Sequence, residues 1–152
     1  MSSYYLSIGS NLNSKLAVPQ CLKLLDQTFT LKKVSSIYET QPVGPVGGDL
    51  FWNLAAEIKT ALDRKSLDQA LKKIEAALGR KRDPQNKYAA RPIDLDILPQ
   101  AGYQKLPFIM IPLAEISPGE KDPETGKTFA ELAKIFEKEK KSYRKIVLSG
   151  KS

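Results

Sequence analysis

Two aspartates of this 152-residue chain, Asp94 and Asp96, are separated by a single residue within an apolar run. If the run is a β-strand, its side chains alternate between faces, so both carboxylates share one face and the neighbouring aliphatic residues share the other. Adjacent acids on a sheet face repel each other. A hard divalent cation relieves that repulsion, and Mg2+ typically joins one or two carboxylates to substrate phosphates. The alternative interpretation is a solvated strand face beside a compensating arginine.

The segment just before these aspartates is strongly basic. Residues 79–91 contain one acid and five cations, which are Arg80, Lys81, Arg82, Lys87 and Arg91. Arginine side chains grip phosphate oxygens, and paired aspartates hold the metal that neutralises the remaining charge. This combination predicts a site for a polyphosphate together with Mg2+.

The chain contains no histidine and one cysteine, Cys21. The lack of histidine excludes Ser-His and Cys-His catalysis and the usual zinc sites, so any chemistry rests on carboxylates, lysine, arginine, backbone groups and a hard metal. One cysteine excludes an internal disulfide framework and favours a reducing compartment, so we expect a cytoplasmic protein. We interpret Cys21 as a buried small hydrophobic residue without a chemical role.

Length and composition predict one compact domain over residues 1–152. Hydrophobic residues make up 41% of the chain and charged residues 27%, which is ordinary globular usage. No apolar run approaches membrane-spanning length, and the first residues do not resemble a signal peptide, so we expect no membrane association. The net charge of +7 favours a negatively charged substrate or partner.

The apolar pattern predicts strands over residues 4–8, 31–40 and 50–60, helices over 18–27 and 66–78, and then the strand with the paired aspartates. We expect Pro19 in the first turn of the first helix, and a capping box of Ser66 and Gln69 at the start of the second. This order predicts an α+β fold, a ferredoxin-like antiparallel sheet (βαββαβ) with helices on one face.

Further elements are predicted after this core. Residues 108–113 read as another strand, and residues 143–148 as a closing strand. A last helix is expected to open at Thr128, which forms a capping box with Glu131.

The predicted strand over residues 50–60 places an aromatic ring and an amide on its non-core face. Phe51 and Asn53 alternate with the expected core residues and lie beside a loop rich in proline and glycine, residues 40–49. A ring and an amide can stack on a flat heterocycle and bond its edge. The simpler interpretation is a half-exposed phenylalanine and a solvated asparagine. Glu75 lies off the apolar stripe of its helix, in a last turn where the helix dipole disfavours a carboxylate, which hints at a ligand contact.

These residues resemble the 6-hydroxymethyl-7,8-dihydropterin pyrophosphokinase family. The matching segments follow one another along most of the chain: GSNL at 9–12, SIYET at 36–40 with PVGP at 42–45, FWN at 51–53, Glu75 with GRKR at 79–82, RPIDLDIL at 91–98 and IPLAEISP at 111–118. The resemblance implies Mg2+-dependent transfer of the terminal diphosphate of ATP to the pterin hydroxymethyl group, with release of AMP.

The resemblance also implies roles for individual residues. Asp94 and Asp96 would bind two Mg2+ ions and would act in catalysis with Arg80 and Arg91. The implied ATP contacts are Glu75, Arg80, Arg82 and Arg91. The implied pterin site has the ring between Phe51 and Phe108, with Thr40, Val43 and Asn53 at its edge. Tyr88 stands roughly where the family has a tryptophan.

The chain departs from the family between Leu98 and Phe108, where the family's longer segment carries a histidine and an arginine that help to hold ATP phosphates. Each such charge-assisted hydrogen bond contributes about 1.5–3 kcal/mol, so ATP binding or rate would fall by orders of magnitude unless another cation replaces them. Lys105 is the nearest candidate.

Two other functions remain open at this point. Loss of the two phosphate contacts would leave a pterin- or nucleotide-binding relative with little turnover. The basic charge and the element order also suit an RNA-binding module. Asp94 and Asp96 would repel phosphate in such a module, so we expect small-molecule substrates and no nucleic acid. We also expect a monomer.

Overall fold

The computed structural model describes residues 1–40, 50–79 and 92–147. Within these ranges the strands form one antiparallel sheet: β1 (Ser2–Ser10), β2 (Thr30–Val34), β3 (Ile37–Thr40), β4 (Phe51–Thr60), β5 (Asp94–Leu98) and β6 (Arg144–Ile146). The spatial order is β5-β1-β4-β3-β6, and β2 also pairs with β4. The helices are α1 (Ser14–Thr28), α2 (Arg64–Ala77), α3 (Pro107–Ile116), α4 (Phe129–Lys134) and α5 (Glu137–Ser142), with a short 3-10 helix at Tyr103–Lys105.

Helices cover both faces of the sheet. A first core packs α1 and α2 against one face, where β5 contributes Leu95 and Ile97. A second core packs α3 and α4 against the other face, around Ala55 of β4 and Leu98 of β5. The predicted α+β antiparallel fold is confirmed, but the expectation that helices lie on one face only is wrong. Helix α3 therefore covers part of the second face of the sheet.

Residues 108–113, which were predicted as a strand, lie in α3. Six of the ten residues of this helix are buried, so it is apolar almost all round and shows no helical stripe. A short apolar run of this kind cannot be assigned to helix or strand from periodicity alone. Pro107 at the first helical position, where no backbone N–H is needed, suits the start of a helix.

The structure also corrects several element boundaries. The predicted strand over residues 31–40 is divided into β2 and β3, because its register against β4 shifts by one residue between Val34 and Tyr38. At this shift Ser35 exchanges two hydrogen bonds with the backbone of Ala55. Helix α1 begins at Ser14, so Pro19 lies inside the helix and not in its first turn. Helix α2 is capped by Asp63, whose carboxylate accepts from the Ser66 N–H at 2.8 Å, so the predicted capping box of Ser66 is wrong.

The C-terminal elements agree with the sequence in part, because the helix predicted as the last one is α4 and a further helix, α5, follows it. The capping box of α4 is present, since Thr128 Oγ1 accepts from the Glu131 N–H and the Glu131 carboxylate accepts from the Thr128 N–H at 2.8 Å. The closing strand is confirmed as β6, which pairs with β3 at the sheet edge. In the described ranges, every helix is too short or too polar to cross a bilayer.

A buried carboxylate fixes the segment that leads into α3. Asp122 is fully buried and accepts hydrogen bonds from the Tyr103 hydroxyl at 2.5 Å and from the N–H and hydroxyl of Thr125 at 2.8 and 2.7 Å. Burial alone would raise the pKa of Asp122, but these bonds and one from Gln104 outweigh it and lower the pKa to about 2.

This lowered pKa predicts a specific loss of stability in acid. A carboxylate whose pKa is lower in the folded state stabilises the fold fully above its ordinary pKa of 3.8, and loses that contribution as the pH falls towards 2. We expect the parent to exceed Asp122→Asn by about 2 kcal/mol in free energy of unfolding at pH 6. Urea titrations should show that difference shrinking between pH 4 and pH 2. A difference that is constant over this range would contradict the assignment.

Candidate active site

The paired aspartates lie as their spacing predicts. Asp94 and Asp96 are half-buried on the second face of the sheet, whereas Leu95 and Ile97 are buried in the first core. β5 pairs with β1, so Asp94 lies opposite Gly9 and Asp96 opposite Ser7. The two carboxylates therefore share one face of an edge strand, next to the end of β1.

On this face of the sheet, Gly9 lies between Asp94 and Asn53. The side with the paired aspartates is here called the acidic side, and the side with Asn53 the amide side. In β1, Gly9 is opposite Asp94 of β5 on one side and opposite Asn53 of β4 on the other. Two interstrand spacings, about 10 Å, thus separate Asp94 from Asn53. A Cβ atom added at Gly9 would lie 3.5 Å from Asn53 Oδ1. Because glycine has no side chain, the sheet surface between the Asp94 carboxylate and the Asn53 amide is open. A glycine inside a strand is the one local signal that could have suggested this role.

The amide side of the face contains three of the residues expected to bind a pterin. Asn53 is buried, and its Nδ2 donates to Thr40 Oγ1 at 2.8 Å. Thr40 is the last residue of β3 and lies directly opposite Phe51, the first residue of β4. The hydrogen bond fixes the orientation of the Asn53 amide, which is what recognition of a heterocycle edge requires. Phe51, Asn53 and Thr40 are thereby brought together.

The second predicted stacking residue, Phe108, lies in the first turn of α3. It is half-buried, as is Phe51, and it packs against the second core. Aromatic pairs in the described part of the chain involve other rings, so Phe51 and Phe108 do not stack on each other. A ring inserted between them remains a prediction.

Glu75 occupies a different place from the one expected. It is buried, only 3% exposed, and belongs to the inward face of α2. Its carboxylate accepts from the backbone N–H of Leu95 at 2.7 Å. Leu95 is the residue between the two aspartates, so Glu75 satisfies an N–H at the edge of the strand that carries them. A contact between Glu75 and the nucleotide remains a prediction.

The same carboxylate affects Cys21 of α1. Burial, and secondarily the negative charge of Glu75, raise the pKa of the Cys21 thiol to about 12. Cys21 is fully buried. Its interpretation as a buried small hydrophobic residue is confirmed, because a thiol with so high a pKa forms almost no reactive thiolate at neutral pH.

The bond from Leu95 to Glu75 makes β5 sensitive to substitution. Glu75→Ala leaves the Leu95 N–H without this partner, and we expect the free energy of unfolding to fall by about 2–3 kcal/mol. Glu75→Gln is the matched control, because its amide oxygen still accepts from Leu95. Hydrogen exchange should show the Leu95 amide exchanging at least about tenfold faster in Glu75→Ala than in Glu75→Gln. Equal exchange in the two variants would contradict the positioning of β5 by Glu75.

The remaining predicted residues divide into two groups. Lys105 is exposed at the end of the 3-10 helix, in a segment that follows the far end of β5, where Leu98 lies opposite Tyr5. Lys105 belongs to the 3-10 helix and not to a strand, so the pairing of the sheet does not bring it next to the paired aspartates. The others lie outside the described residues: Val43, Arg80, Arg82, Tyr88 and Arg91.

The donor set on β5 suits a hard cation. Within the described residues, no group of three or more His, Cys, Asp or Glu side chains is arranged as a complete metal cage. Two carboxylates on an edge strand are the set that Mg2+ uses when waters and substrate phosphates supply its other ligands. Asp94 and Asp96 thus fit a metal that arrives with a nucleotide.

Known proteins match the chain across this whole region. The model of the 7,8-dihydro-6-hydroxymethylpterin-pyrophosphokinase (HPPK) family matches residues 5–118, from β1 to just beyond α3. The 2-amino-4-hydroxy-6-hydroxymethyldihydropteridine pyrophosphokinase of Bacillus subtilis is 35% identical over 150 residues, which cover 87% of this chain and 89% of the relative. Proteins of the same name from Methylorubrum extorquens and Aquifex aeolicus are 36% identical over 135 residues and 29% over 133, covering 78% of this chain and 84% and 82% of theirs.

Proposed function

The chain belongs to the HPPK family, and we propose that it transfers the terminal diphosphate of ATP to the hydroxymethyl group of 6-hydroxymethyl-7,8-dihydropterin, releasing AMP. The observation that carries the proposal is the register that sets Asp94 and Asn53 on either side of Gly9. One face of the sheet thereby offers carboxylates for a metal-nucleotide and an oriented amide for a heterocycle.

On the acidic side, we assign Asp94 and Asp96 to Mg2+. Bound there, Mg2+ would neutralise phosphate charge and orient the nucleotide. Asp94 and Asp96 hold this position through β5, whose outer edge is secured by Glu75. We assign the ATP phosphates to Arg80, Arg82 and Arg91, with Lys105 as the candidate replacement for the two missing cations, and the nucleotide to Glu75.

On the amide side, we assign the pterin ring to the space between Phe51 and Phe108. Asn53 and Thr40 would bond the edge of the ring, and the Val43 backbone would complete this edge. The bond between Asn53 and Thr40 supports the assignment, because it orients the amide before the ligand arrives.

The reaction needs positioning and charge neutralisation rather than a strong base. The hydroxymethyl oxygen of the pterin forms a bond to the β-phosphorus of ATP. The bond from that phosphorus to the oxygen shared with the α-phosphorus breaks, and AMP leaves with the electron pair. The alcohol proton is lost late to solvent, which is consistent with a chain that contains no histidine.

We further propose that the enzyme acts as a cytoplasmic monomer on small molecules. The chain has one cysteine and therefore no internal disulfide, which suits a reducing compartment.

Product analysis tests the proposed function. The protein, incubated with ATP, MgCl2 and the pterin, should form AMP in proportion to pterin consumed, as measured by chromatography. Formation of ADP, or of no nucleotide product, would contradict it. Calorimetry separates the alternative of a weakened relative, which would bind the pterin without forming AMP.

A further inference from the structure

The carboxylate of Glu115, near the end of α3, accepts from three hydrogen-bond donors: two on Ser36, the residue just before β3, and one on Tyr38 within β3. One of its oxygens accepts from the backbone N–H and the hydroxyl of Ser36, both at 2.9 Å. The other accepts from the hydroxyl of Tyr38 at 2.6 Å. These bonds, here called the Glu115 clasp, join α3 to β3 across the second face of the sheet.

The charges around the clasp favour an ionised carboxylate. Burial opposes ionisation of Glu115, but the bonds from Tyr38 and Ser36 and the nearby Lys145 outweigh it and lower the Glu115 pKa. Burial, and then the contact with Glu115, raise the pKa of the Tyr38 hydroxyl, so it stays protonated and donates. The clasp therefore consists of charge-assisted bonds, which are about twice as strong as neutral ones.

The strand held by the clasp leads directly to the proposed pterin site. Tyr38 is 1% exposed and lies directly opposite Asn53. Two residues later, Thr40 accepts from Asn53 and lies opposite Phe51. A displacement of β3 at Tyr38 would consequently move both the partner of the Asn53 amide and the neighbour of Phe51.

The helix held by the clasp carries the other side of the same site. Phe108 and Glu115 are seven residues apart in α3, which is about 10 Å along the helix axis. A further hydrogen bond holds the C-terminal end of α3 to β2, since Lys33 Nζ donates to the carbonyl oxygen of Ile116 at 3.1 Å. Phe51 and Phe108 belong to different elements, so the gap between them depends on how α3 docks on the sheet.

We infer that Glu115 is a positioning residue that sets the gap between Phe51 and Phe108 for the pterin ring, by fixing α3 to β3. This inference rests on the proposed function. Glu115 lies seven residues from the nearer stacking ring, and its carboxylate is already occupied by Ser36 and Tyr38, so it acts through the fold and not on the substrate. In the sequence, Glu115 is part of the IPLAEISP segment, and no local pattern assigns it a role.

Steady-state kinetics of Glu115→Gln test the inference. Glutamine keeps the side-chain shape but loses the charge and presents an NH2 group to donors. We expect the KM for the pterin to rise about tenfold, with the KM for ATP and kcat at saturating pterin within about twofold of the parent. Ser36→Ala, which removes one of the three bonds, should raise the pterin KM about two- to threefold and guards against a variant that fails to fold.

Glu131→Gln is the matched control. The Glu131 carboxylate also accepts from a backbone N–H and a hydroxyl, both of Thr128, but at the start of α4. The Glu131→Gln variant should have a lower melting temperature than the parent, with a pterin KM within about twofold of the parent value. An unchanged pterin KM in Glu115→Gln, or an equal rise in Glu131→Gln, would overturn the inference while leaving the proposed function intact. A parent that forms no AMP would overturn both.

Discussion

Asp94→Asn and Asp96→Asn are each expected to lower kcat/KM for AMP formation by about 10³-fold or more, equivalent to about 4 kcal/mol of transition-state stabilisation. The two carboxylates share one face of β5 but lie at different positions along it. One could take the place of the other only if the register of β5 changed. An amide keeps the shape but removes the charge to which we assign the metal and its phosphates. Steady-state assays of AMP formation at saturating Mg2+ provide the measurement.

Asp68→Asn is the control for these two variants. Asp68 is partly exposed on α2 and pairs with Lys72 one turn later, away from the candidate site. Its kcat/KM should stay within about twofold of the parent, since exposed pairs of this kind contribute little. Activity in Asp94→Asn and Asp96→Asn equal to that of Asp68→Asn would mean that the paired carboxylates take no part in the reaction.

Gly9→Val is expected to lower kcat/KM by about 10²-fold or more without destabilising the fold. Valine favours a strand, and a Cβ at this position makes an ordinary contact of 3.5 Å with Asn53 Oδ1. Its methyl groups, however, would occupy the strip of sheet between Asp94 and Asn53, over which we propose that the two substrates meet. Thermal melts and AMP assays on the same preparation would show stability and activity moving apart.

Ser3→Val controls for the effect of valine in β1. Ser3 is exposed, lies on the same face of the strand as Gly9 and is opposite Lys59, far from the paired aspartates. It should retain the activity of the parent. Full activity in Gly9→Val would show that the substrates do not meet over this part of the sheet.

The parts that sequence predicted well were those in which a local pattern determines the structure. In β5, strict alternation of acids and aliphatic residues admits one strand orientation once a core lies on one side, and the structure has that orientation. The capping box of Thr128 is likewise a local signal, because both of its bonds form within four residues.

The parts that sequence missed depend on contacts between distant segments. Helix α3 is buried nearly all round, because the sheet and α4 cover it, and so it lacks the polar face that marks a helix in sequence. Glu75 looked misplaced in its helix until β5, twenty residues later, supplied the Leu95 N–H. The Glu115 clasp joins residues nearly eighty positions apart, and no local pattern announces such a contact.

The candidate site shows the same division. Residue types that suit a metal-nucleotide and a heterocycle could be selected from spacing, beside simpler interpretations, but their arrangement about Gly9 depends on β1 pairing with both β4 and β5. Such register is decided by the whole sheet and not by any one strand. The resemblance to a family assigned residues to substrates, whereas the structure supplied the physical link among Asp94, Gly9 and Asn53.

Binding of Mn2+, a paramagnetic substitute for Mg2+, shows whether Asp94 and Asp96 hold the metal. The protein would be titrated with Mn2+ in the presence of an unreactive α,β-methylene analogue of ATP, and free Mn2+ followed by electron paramagnetic resonance against the analogue alone. The parent is predicted to bind two Mn2+ ions per chain with the analogue, and the Asp94→Asn/Asp96→Asn double variant to lose at least one of them. If the double variant binds as many ions as the parent, with equal affinity, the paired aspartates do not hold the metal.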